Sequence, residues 1–244
     1  MSVNITLEEL LEAGSHFGHQ IKRWNPKMDS FIYGAREGVH IFDLAKTREM
    51  LVAACAALRD KAAEGGTILF VGTKRQAKDL VTQTAEKVGM PYMTSRWLGG
   101  MLTNFEQIGK SIKKLDEMKK KRAAGEYKGR TKKERLLIDR EIASLERVFG
   151  GVANLGRLPD MLFIVDTHEE HTAVREAARL GIPVVGVVDT NADPTDVDYP
   201  IPANDDAVKS VSLILDAVEK AVEEGKKKSI KGTKGTKSIK EENE

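Results

Sequence analysis

The segment from residue 159 to residue 194 constrains the fold of this chain more than any other, because it predicts a β-α-β unit. Residues 162–165 and residues 183–188 are short apolar runs, and each is followed by an aspartate and a threonine. Residues 172–180 between them have the composition of a helix, which a glycine terminates. Apolar runs joined by one helix are typical of parallel strands buried on both faces. We therefore predict an open α/β sheet, whose ligand-binding edge lies at the carboxyl ends of its strands.

The rest of the chain adds strands and helices to this unit. We predict further strands at residues 31–33, 39–42, 68–71 and 91–93, and further helices at residues 6–13, 45–63, 76–88 and 206–224. Residues 14–27 are polar, rich in glycine and without periodicity, which predicts a loop. Residues 190–202 are rich in proline and aspartate, and we assign no strand or helix to them.

Two long charged segments, residues 105–122 and residues 132–149, each carry a narrow apolar stripe of helical period, and a polar turn separates them. This pattern predicts an antiparallel helical hairpin of the coiled-coil kind, inserted between strands of the sheet. The predicted fold class is α/β, with a doubly wound, mainly parallel sheet flanked by helices, of the Rossmann or flavodoxin type. The predicted divisions are one discontinuous α/β domain (1–104 and 150–225), the inserted hairpin (105–149) and a basic tail that is disordered on its own (226–244).

The composition excludes several classes of protein. Cys55 is the only cysteine among 244 residues, so a disulfide within the chain and a zinc site built from cysteines are both excluded. This favours a reducing compartment, and we expect the cytoplasm. No apolar run is long enough to span a membrane, and the first residues lack the pattern of a signal peptide.

The net charge of +2 conceals a strong separation of charge along the chain. Residues 110–135 contain 12 Lys and Arg against 4 Asp and Glu, and residues 226–244 contain 7 against 3. Residues 150–225 contain 5 Lys and Arg against 15 Asp and Glu. Such separation favours a polyanion-binding face on an otherwise acidic protein, although a solvated charged helix with a tail is the plain alternative.

Motifs for nucleotide cofactors and for hydrolytic catalysis are absent from the sequence. Residues 72–75 (Gly-Thr-Lys-Arg) lie between a predicted strand and a predicted helix, where one phosphate of a polynucleotide can bind, but neither glycine-rich nucleotide fingerprint is present. His168 and His171 are three residues apart, whereas zinc metalloproteases need four. We therefore expect no enzyme activity and no required cofactor. The alternative is a nucleotide- or sugar-phosphate-binding enzyme, which the Asp and Thr residues at strand ends would favour.

A possible metal site involves three residues that lie far apart in the sequence. If the glycine-rich loop folds over the edge of the sheet, His19 joins Asp189 and Asp205 around a zinc or magnesium ion. The plain alternative is that these aspartates cap helices and turns, and we favour it because the spacing is loose.

Both tryptophans of the chain lie beside basic residues. Trp24 belongs to the basic stretch 22–27, and Trp97 follows Arg96. Arg and Lys neutralise phosphates, and flat rings stack on unpaired bases, so these loops are candidates for RNA binding. Packing in the protein interior is the alternative for each tryptophan, and for Trp97 it is at least as well supported.

Several stretches together resemble a known family. They are residues 25–36 (NPKMDSFIYGAR), 38–44 (GVHIFDL), 70–74 (FVGTK), 96–105 (RWLGGMLTNF) and 158–160 (LPD), with the β-α-β unit ending in residues 189–194 (DTNADP). On these residues the chain, from about residue 7 to residue 224, is similar to the bacterial form of the second small-subunit ribosomal protein (S-two). The tail after residue 225 lies outside the resemblance.

The resemblance implies a non-enzymatic protein of the ribosome. It implies binding to small-subunit ribosomal RNA between the head and the body of the subunit, contact with neighbouring small-subunit proteins, and help in holding the large S-one ribosomal protein. It also implies a doubly wound sheet with a protruding coiled coil. No membrane and no small-molecule substrate are expected.

The charge pattern and the matching motifs together give a set of predicted RNA-binding residues. They are Lys22, Arg23, Asn25, Lys27, Arg36, Lys74, Arg75, Arg96, Asn104, Lys110, Lys113, Lys114, Lys119, Lys120, Lys121, Arg122, Lys128, Arg130, Lys132 and Lys133. The acidic residues 150–225 repel phosphate, so we expect that surface, with Glu169, Glu170 and Asp196, to meet a protein partner together with the amino-terminal segment. The resemblance makes the S-one protein the candidate for this partner.

Overall fold

The computed structural model describes residues 5–241, and the side chains of residues 5–229. In chain order, the helices and strands in this range are α1 (Leu7–Glu12), β1 (Phe17–Gln20), β2 (Ile32–Arg36), β3 (Val39–Phe42), α2 (Leu44–Ala63), β4 (Ile68–Val71), α3 (Lys78–Lys87), β5 (Tyr92–Met93), α4 (Phe105–Ala123), α5 (Lys132–Phe149), β6 (Met161–Val165), α6 (His171–Leu180), β7 (Val184–Val188), β8 (Tyr199–Pro202) and α7 (Val208–Glu241). Short 3-10 turns occupy Ile21–Arg23, Pro26–Phe31 and Gly150–Val152.

The larger sheet has five strands in the order β5-β4-β6-β7-β8, and all neighbouring pairs are parallel. After β4 the chain moves outward to β5, whereas after β6 it moves in the opposite direction to β7 and β8. The sheet is therefore doubly wound, as predicted, and its direction reverses between β4 and β6. In such a sheet the crevice at this reversal, outside the carboxyl ends of the strands, is where ligands bind.

Helices cover both faces of the sheet because successive side chains of each strand point to opposite faces. Phe70 and Phe163 point to the face covered by α2, α3 and α7, where their ring centroids lie 5.3 Å apart. Leu69 and Leu162 point to the other face, which α4, α5 and α6 cover. Residues of β4, β6 and β7 are almost completely buried, which explains why their sequences are continuous apolar runs.

Helices α4 and α5 follow one another between β5 and β6, with a turn between them. Their apolar stripes, which include Ile112 and Leu115 on α4 and Ile142 on α5, belong to one buried cluster. Thr131 begins α5 with a capping box, in which its side chain and that of Glu134 each bind the other's backbone N–H. The two helices are also joined by ion pairs, such as Lys114 to Glu141 at 2.6 Å.

The amino-terminal region forms a second, three-stranded antiparallel sheet in the order β1-β3-β2. The prediction of a loop at residues 14–27 is therefore wrong for β1, whose sequence Phe-Gly-His-Gln carries no strand signal and is ordered by pairing with β3. This small sheet lies over the carboxyl end of β7. Thr190 there accepts the His19 N–H on its hydroxyl at 2.8 Å and the Asn25 N–H on its carbonyl at 2.7 Å.

Two further differences concern the last third of the chain. Strand β8 contains Pro200 and Pro202, which is possible because it is the edge strand of the sheet. Helix α7 does not end near residue 224 but continues to Glu241. That residues 226–244 are disordered on their own stays a prediction. The lysines that follow residue 225 favour helix, and Lys227 pairs with Glu223 one turn earlier.

Among residues 5–241, no helix combines the length and the apolar character that crossing a bilayer requires.

Candidate nucleic-acid interface

A buried carboxylate orders the loop that joins β5 to α4. Glu176 on α6 is only 8% exposed. Its Oε1 accepts the Trp97 Nε1–H at 3.1 Å and the Gly100 N–H at 2.8 Å. Its Oε2 accepts the N–H groups of Leu102 and Thr103 and the Thr103 hydroxyl, each at 3.0 Å. The carboxylate thus holds the loop in a single arrangement.

These bonds also determine the charge of Glu176. Burial acts to raise the pKa of its carboxyl, but the hydrogen bonds from Thr103, Trp97, Gly100 and Leu102 outweigh burial and hold the pKa below its usual value. Glu176 is therefore ionised at neutral pH.

The same arrangement separates the two residues of the Arg96-Trp97 motif. Trp97 is 7% exposed and packs in the buried cluster, so the packing alternative is the one observed. Arg96 and Asn104 are exposed on either side of it. Trp24 is partly exposed, and its ring lies against the ring of His40, with centroids 4.9 Å apart.

The crevice between β4 and β6, where the sheet reverses, is filled by the chain's own side chains. Lys74 Nζ lies 3.3 Å from Asp166, 2.6 Å from Asp205 and 2.6 Å from Asp206. Burial acts to lower the pKa of Lys74, but these carboxylates outweigh burial and raise it. The side chain of Lys74 is only 18% exposed and its ammonium pairs with three aspartates, which disfavours an RNA contact. The RNA contact of Lys74 stays a prediction.

The anion position next to Lys74 is also occupied. Glu170 accepts both the N–H of Thr73, at 3.1 Å, and the Thr73 hydroxyl, at 2.5 Å. Burial is the main reason why the pKa of the Glu170 carboxyl is raised. A phosphate at this strand end would have to displace a carboxylate. Arg75, the next basic residue, is exposed.

The residues of the predicted metal site meet only in part. His19 Nδ1 lies 2.9 Å from Asp189 Oδ1, because the small sheet does lie over the sheet edge. Asp205 is next to Asp189, and its N–H approaches Asp189 Oδ2 at 3.3 Å, but its carboxylate is directed at Lys74. Within residues 5–241 no three such side chains are arranged to hold a metal ion. The metal remains a prediction.

Basic side chains of the amino-terminal region lie on the surface. Lys22 and Arg23 are exposed in the 3-10 turn after β1, and Arg36 is exposed at the end of β2. Lys27 is exposed, and its Nζ donates to Asp193 at 2.6 Å, which lowers the pKa of that carboxyl to about 2 in spite of burial. Asn25 is partly buried, and its side chain accepts the Lys27 N–H at 3.0 Å.

The predicted RNA-binding residues of the hairpin are all exposed, but they form two groups. The first group pairs with acids of the hairpin itself. It consists of Lys110 with Glu106, Lys114 with Glu141, Lys119 with Glu146, Lys120 with Asp116, Arg122 with Asp139 and Arg130 with Glu134.

The second group has no ion pair within the described part of the chain. It consists of Lys113, Lys121, Lys128, Lys132 and Lys133. Four of these five lie between residues 121 and 133, around the turn that joins α4 to α5. We call this region the hairpin tip. The uncompensated positive charge of the hairpin is therefore concentrated at its tip.

The role of Glu176 has no counterpart among the sequence predictions, and the role predicted for Glu170 differs from its observed position. Both are acidic residues within 150–225, where an exposed acidic surface is predicted. A signal for Glu176 was available, since it lies one residue from Ala177 and three from Ala173, on the buried side of α6. Glu170 is 3% exposed, so it does not belong to the surface to which it was assigned.

Comparison with known proteins identifies the family. The family model for "Ribosomal protein S2" matches residues 10–225. A small ribosomal subunit protein uS2 from Corynebacterium urealyticum is 51% identical over 224 residues, which are 91% of this chain and 83% of the relative. The uS2 proteins of Coprothermobacter proteolyticus (51%, covering 91% and 83%) and Mycolicibacterium paratuberculosis (48%, covering 91% and 80%) are similarly close. The chain therefore belongs to the ribosomal protein S2 family.

Proposed function

We propose that this chain binds small-subunit ribosomal RNA through its hairpin tip and through the basic loops at the carboxyl edge of the sheet. The general part of the function follows from the family. Ribosomal protein S2 is a structural, non-enzymatic component of the small ribosomal subunit and acts in translation, in the cytoplasm of bacteria. The proposal concerns which surface meets the RNA.

The hairpin tip carries the proposal. Lys121, Lys128, Lys132 and Lys133 are exposed, and they form no ion pair within residues 5–229. When an unpaired lysine binds a phosphate, no ion pair within the protein has to break, so the full free energy of counterion release favours binding. The paired lysines of the hairpin would have to exchange a carboxylate for a phosphate.

The basic loops support the same orientation. Arg75 follows β4, and Arg96 follows β5. The carboxyl ends of parallel strands meet at one edge of a sheet, so these arginines share an edge. Residues 22–27 are held at this edge as well, through the bond from Asn25 to Thr190 after β7.

The crevice between β4 and β6 argues against the enzyme alternative. Lys74 and Glu170 occupy the positions where a doubly wound sheet receives a phosphate-bearing ligand. The Asp and Thr residues at the strand ends, which favoured that alternative, instead hold Lys74 and the small sheet.

The test is to replace Lys121, Lys132 and Lys133 together by glutamine and to measure binding to small-subunit ribosomal RNA over a range of salt concentrations. Each lost phosphate contact lowers the slope of log affinity against log salt by ~0.7–0.9, so the slope should fall by roughly 2 to 3. The matched control replaces Lys46, Lys209 and Lys220, which are exposed outside the hairpin, by glutamine. Equal slopes for the two triple variants would contradict the proposal.

We further propose that the amino-terminal region binds the S-one ribosomal protein. A groove of about 650 Å³ runs along α1 and the small sheet, and Leu11, Phe17, Tyr33 and Val39 are among its lining residues. Tyr33 is 81% exposed and Phe17 48%, so both aromatic side chains leave apolar surface exposed to solvent in this groove. On the other side of α1 lies a shallower groove with several acids, including Glu12. This surface suits a partner segment with apolar and basic side chains.

A further inference from the structure

A second cleft lies at the amino-terminal edge of the five-stranded sheet, opposite the edge that carries Arg75 and Arg96. Its volume is about 900 Å³. It is bordered by residues before β4, β5 and β6, and six of its lining residues are glycines, among them Gly65, Gly89 and Gly156. Glycine has no side chain, so a ligand can approach the backbone closely there.

The part of α7 that carries Lys226 and Ser229 forms one wall of this cleft. Lys226 Nζ donates to the carbonyl oxygen of Gly89 at 3.2 Å and also to that of Val88. These bonds fix the place at which the basic part of α7 begins. Ser229 lines the cleft one turn further on, and Lys227 and Lys228 between them are exposed.

The part of α7 that begins at this cleft has a basic sequence. Residues 226–240 contain seven lysines and neither Asp nor Glu. Arg157 lies in the wall of the cleft, and its two terminal nitrogens bind Asp160 at 2.9 and 2.8 Å. Glu86, the acid among the lining residues, accepts the Tyr92 hydroxyl at 2.8 Å. Within residues 5–229, Lys227 pairs with Glu223, whereas Lys228 forms no ion pair.

The basic part of α7 lies beyond the region that the family shares, because the family match ends at residue 225. Its ligand has to be inferred from its own chemistry, which is a run of lysines on a helix that starts beside an open, glycine-lined cleft. An apolar ligand would make few favourable contacts with such a surface, and so would a flexible acidic ligand. A chain of phosphates would gain binding free energy at each lysine.

We propose that this cleft and the basic end of α7 bind a second stretch of RNA backbone, on the side of the sheet opposite the first. The proposal rests on the proposed function, since the ligand is of the same class. The protein then joins two RNA segments across its sheet.

The test compares two pairs of lysines on the same helix. Replacing Lys227 and Lys228 by glutamine should lower the slope of log affinity against log salt for small-subunit ribosomal RNA by roughly 0.7 to 0.9, because Lys228 forms no ion pair within residues 5–229 whereas Lys227 already pairs with Glu223. Replacing Lys209 and Lys220, which are exposed nearer the start of α7, should leave it unchanged. A chain that ends at Ser229 keeps the Lys226 anchor and loses four further lysines, so its slope should fall further.

Nucleotide protection separates this proposal from the previous one. Nucleotides that lose protection in the Lys227 and Lys228 variant should differ from those that lose it in the hairpin-tip variant. If the wild-type protein binds the RNA and the Lys227/Lys228 and Lys209/Lys220 variants have the same salt slope, the proposal of a second site is wrong and the proposed function stands. If the wild-type protein does not bind the RNA, the proposed function itself is wrong. Binding of α7 to vesicles of phosphatidylserine and phosphatidylcholine, with RNA binding unaltered, would also overturn the proposal.

Discussion

Glu176 shows how one residue sets the conformation of a whole motif. Its five hydrogen bonds reach four residues of the loop between β5 and α4, so the motif from Arg96 to Asn104 owes its shape to a helix that lies much later in the chain. A carboxylate can accept all five bonds, whereas an amide has only one oxygen to accept with.

Replacing Glu176 by glutamine should therefore destabilise the protein by about 2–3 kcal/mol, because an amide NH₂ would face N–H donors in a buried place. Urea unfolding measures this, and the exposed Glu169→Gln is the control, with an expected change near zero.

The pH dependence of the unfolding free energy gives a second test of the Glu176→Gln variant. A carboxyl whose pKa is lowered by folding stabilises above its unfolded value of about 4.5, and this contribution is lost as pH falls through the folded value. The deficit of the variant should hence shrink as the solution is acidified, and a constant deficit would show that the charge of Glu176 does not matter.

Lys74 bears on the predicted metal site of His19, Asp189 and Asp205. The Lys74 ammonium lies 2.6 Å from the Asp205 carboxylate, so it competes with a metal ion for this carboxylate. If zinc binds here, Lys74→Met should raise its affinity and His19→Ala should abolish binding. Equilibrium dialysis of the purified chain measures both. Absence of zinc from wild type and from Lys74→Met alike would eliminate the metal site.

At the scale of elements, apolar periodicity predicted the strands that are buried on both faces and the helices that cover them. It did not predict the elements whose formation depends on tertiary contacts. Strand β1 forms because β3 pairs with it and because Gly18 fits against Thr190, where a Cβ atom would lie 2.5 Å from the Thr190 methyl group. The acids that hold Lys74 come from strand ends far apart in the sequence, and no spacing rule joins them.

The small sheet also carries the prediction about the S-one partner. Replacing Phe17 and Tyr33 by serine removes exposed apolar surface from the groove, so purified small subunits that carry this variant should retain less S-one protein. Leu136→Ser with Leu137→Ser on α5 is the matched control, since both leucines are exposed but lie outside the groove. The partner-binding surface lies elsewhere if S-one occupancy is the same in the two variants.

At the scale of the whole molecule, basic residues lie at both edges of the five-stranded sheet. The carboxyl edge and the hairpin tip carry the unpaired cations, the amino-terminal groove carries apolar and acidic residues, and the amino-terminal edge carries the basic end of α7. The crevice that usually receives a ligand instead holds the fold together through Lys74. Such a molecule is suited to holding RNA and protein in fixed relative positions, which is the work of a structural ribosomal component.

Sedimentation of the endogenous protein from a cell lysate tests this account most directly. At low salt the protein should sediment with small ribosomal subunits, and rising salt should release it, because phosphate contacts weaken with ionic strength. A protein that sediments as a free species at low salt, with small subunits intact in the same gradient, would contradict the account.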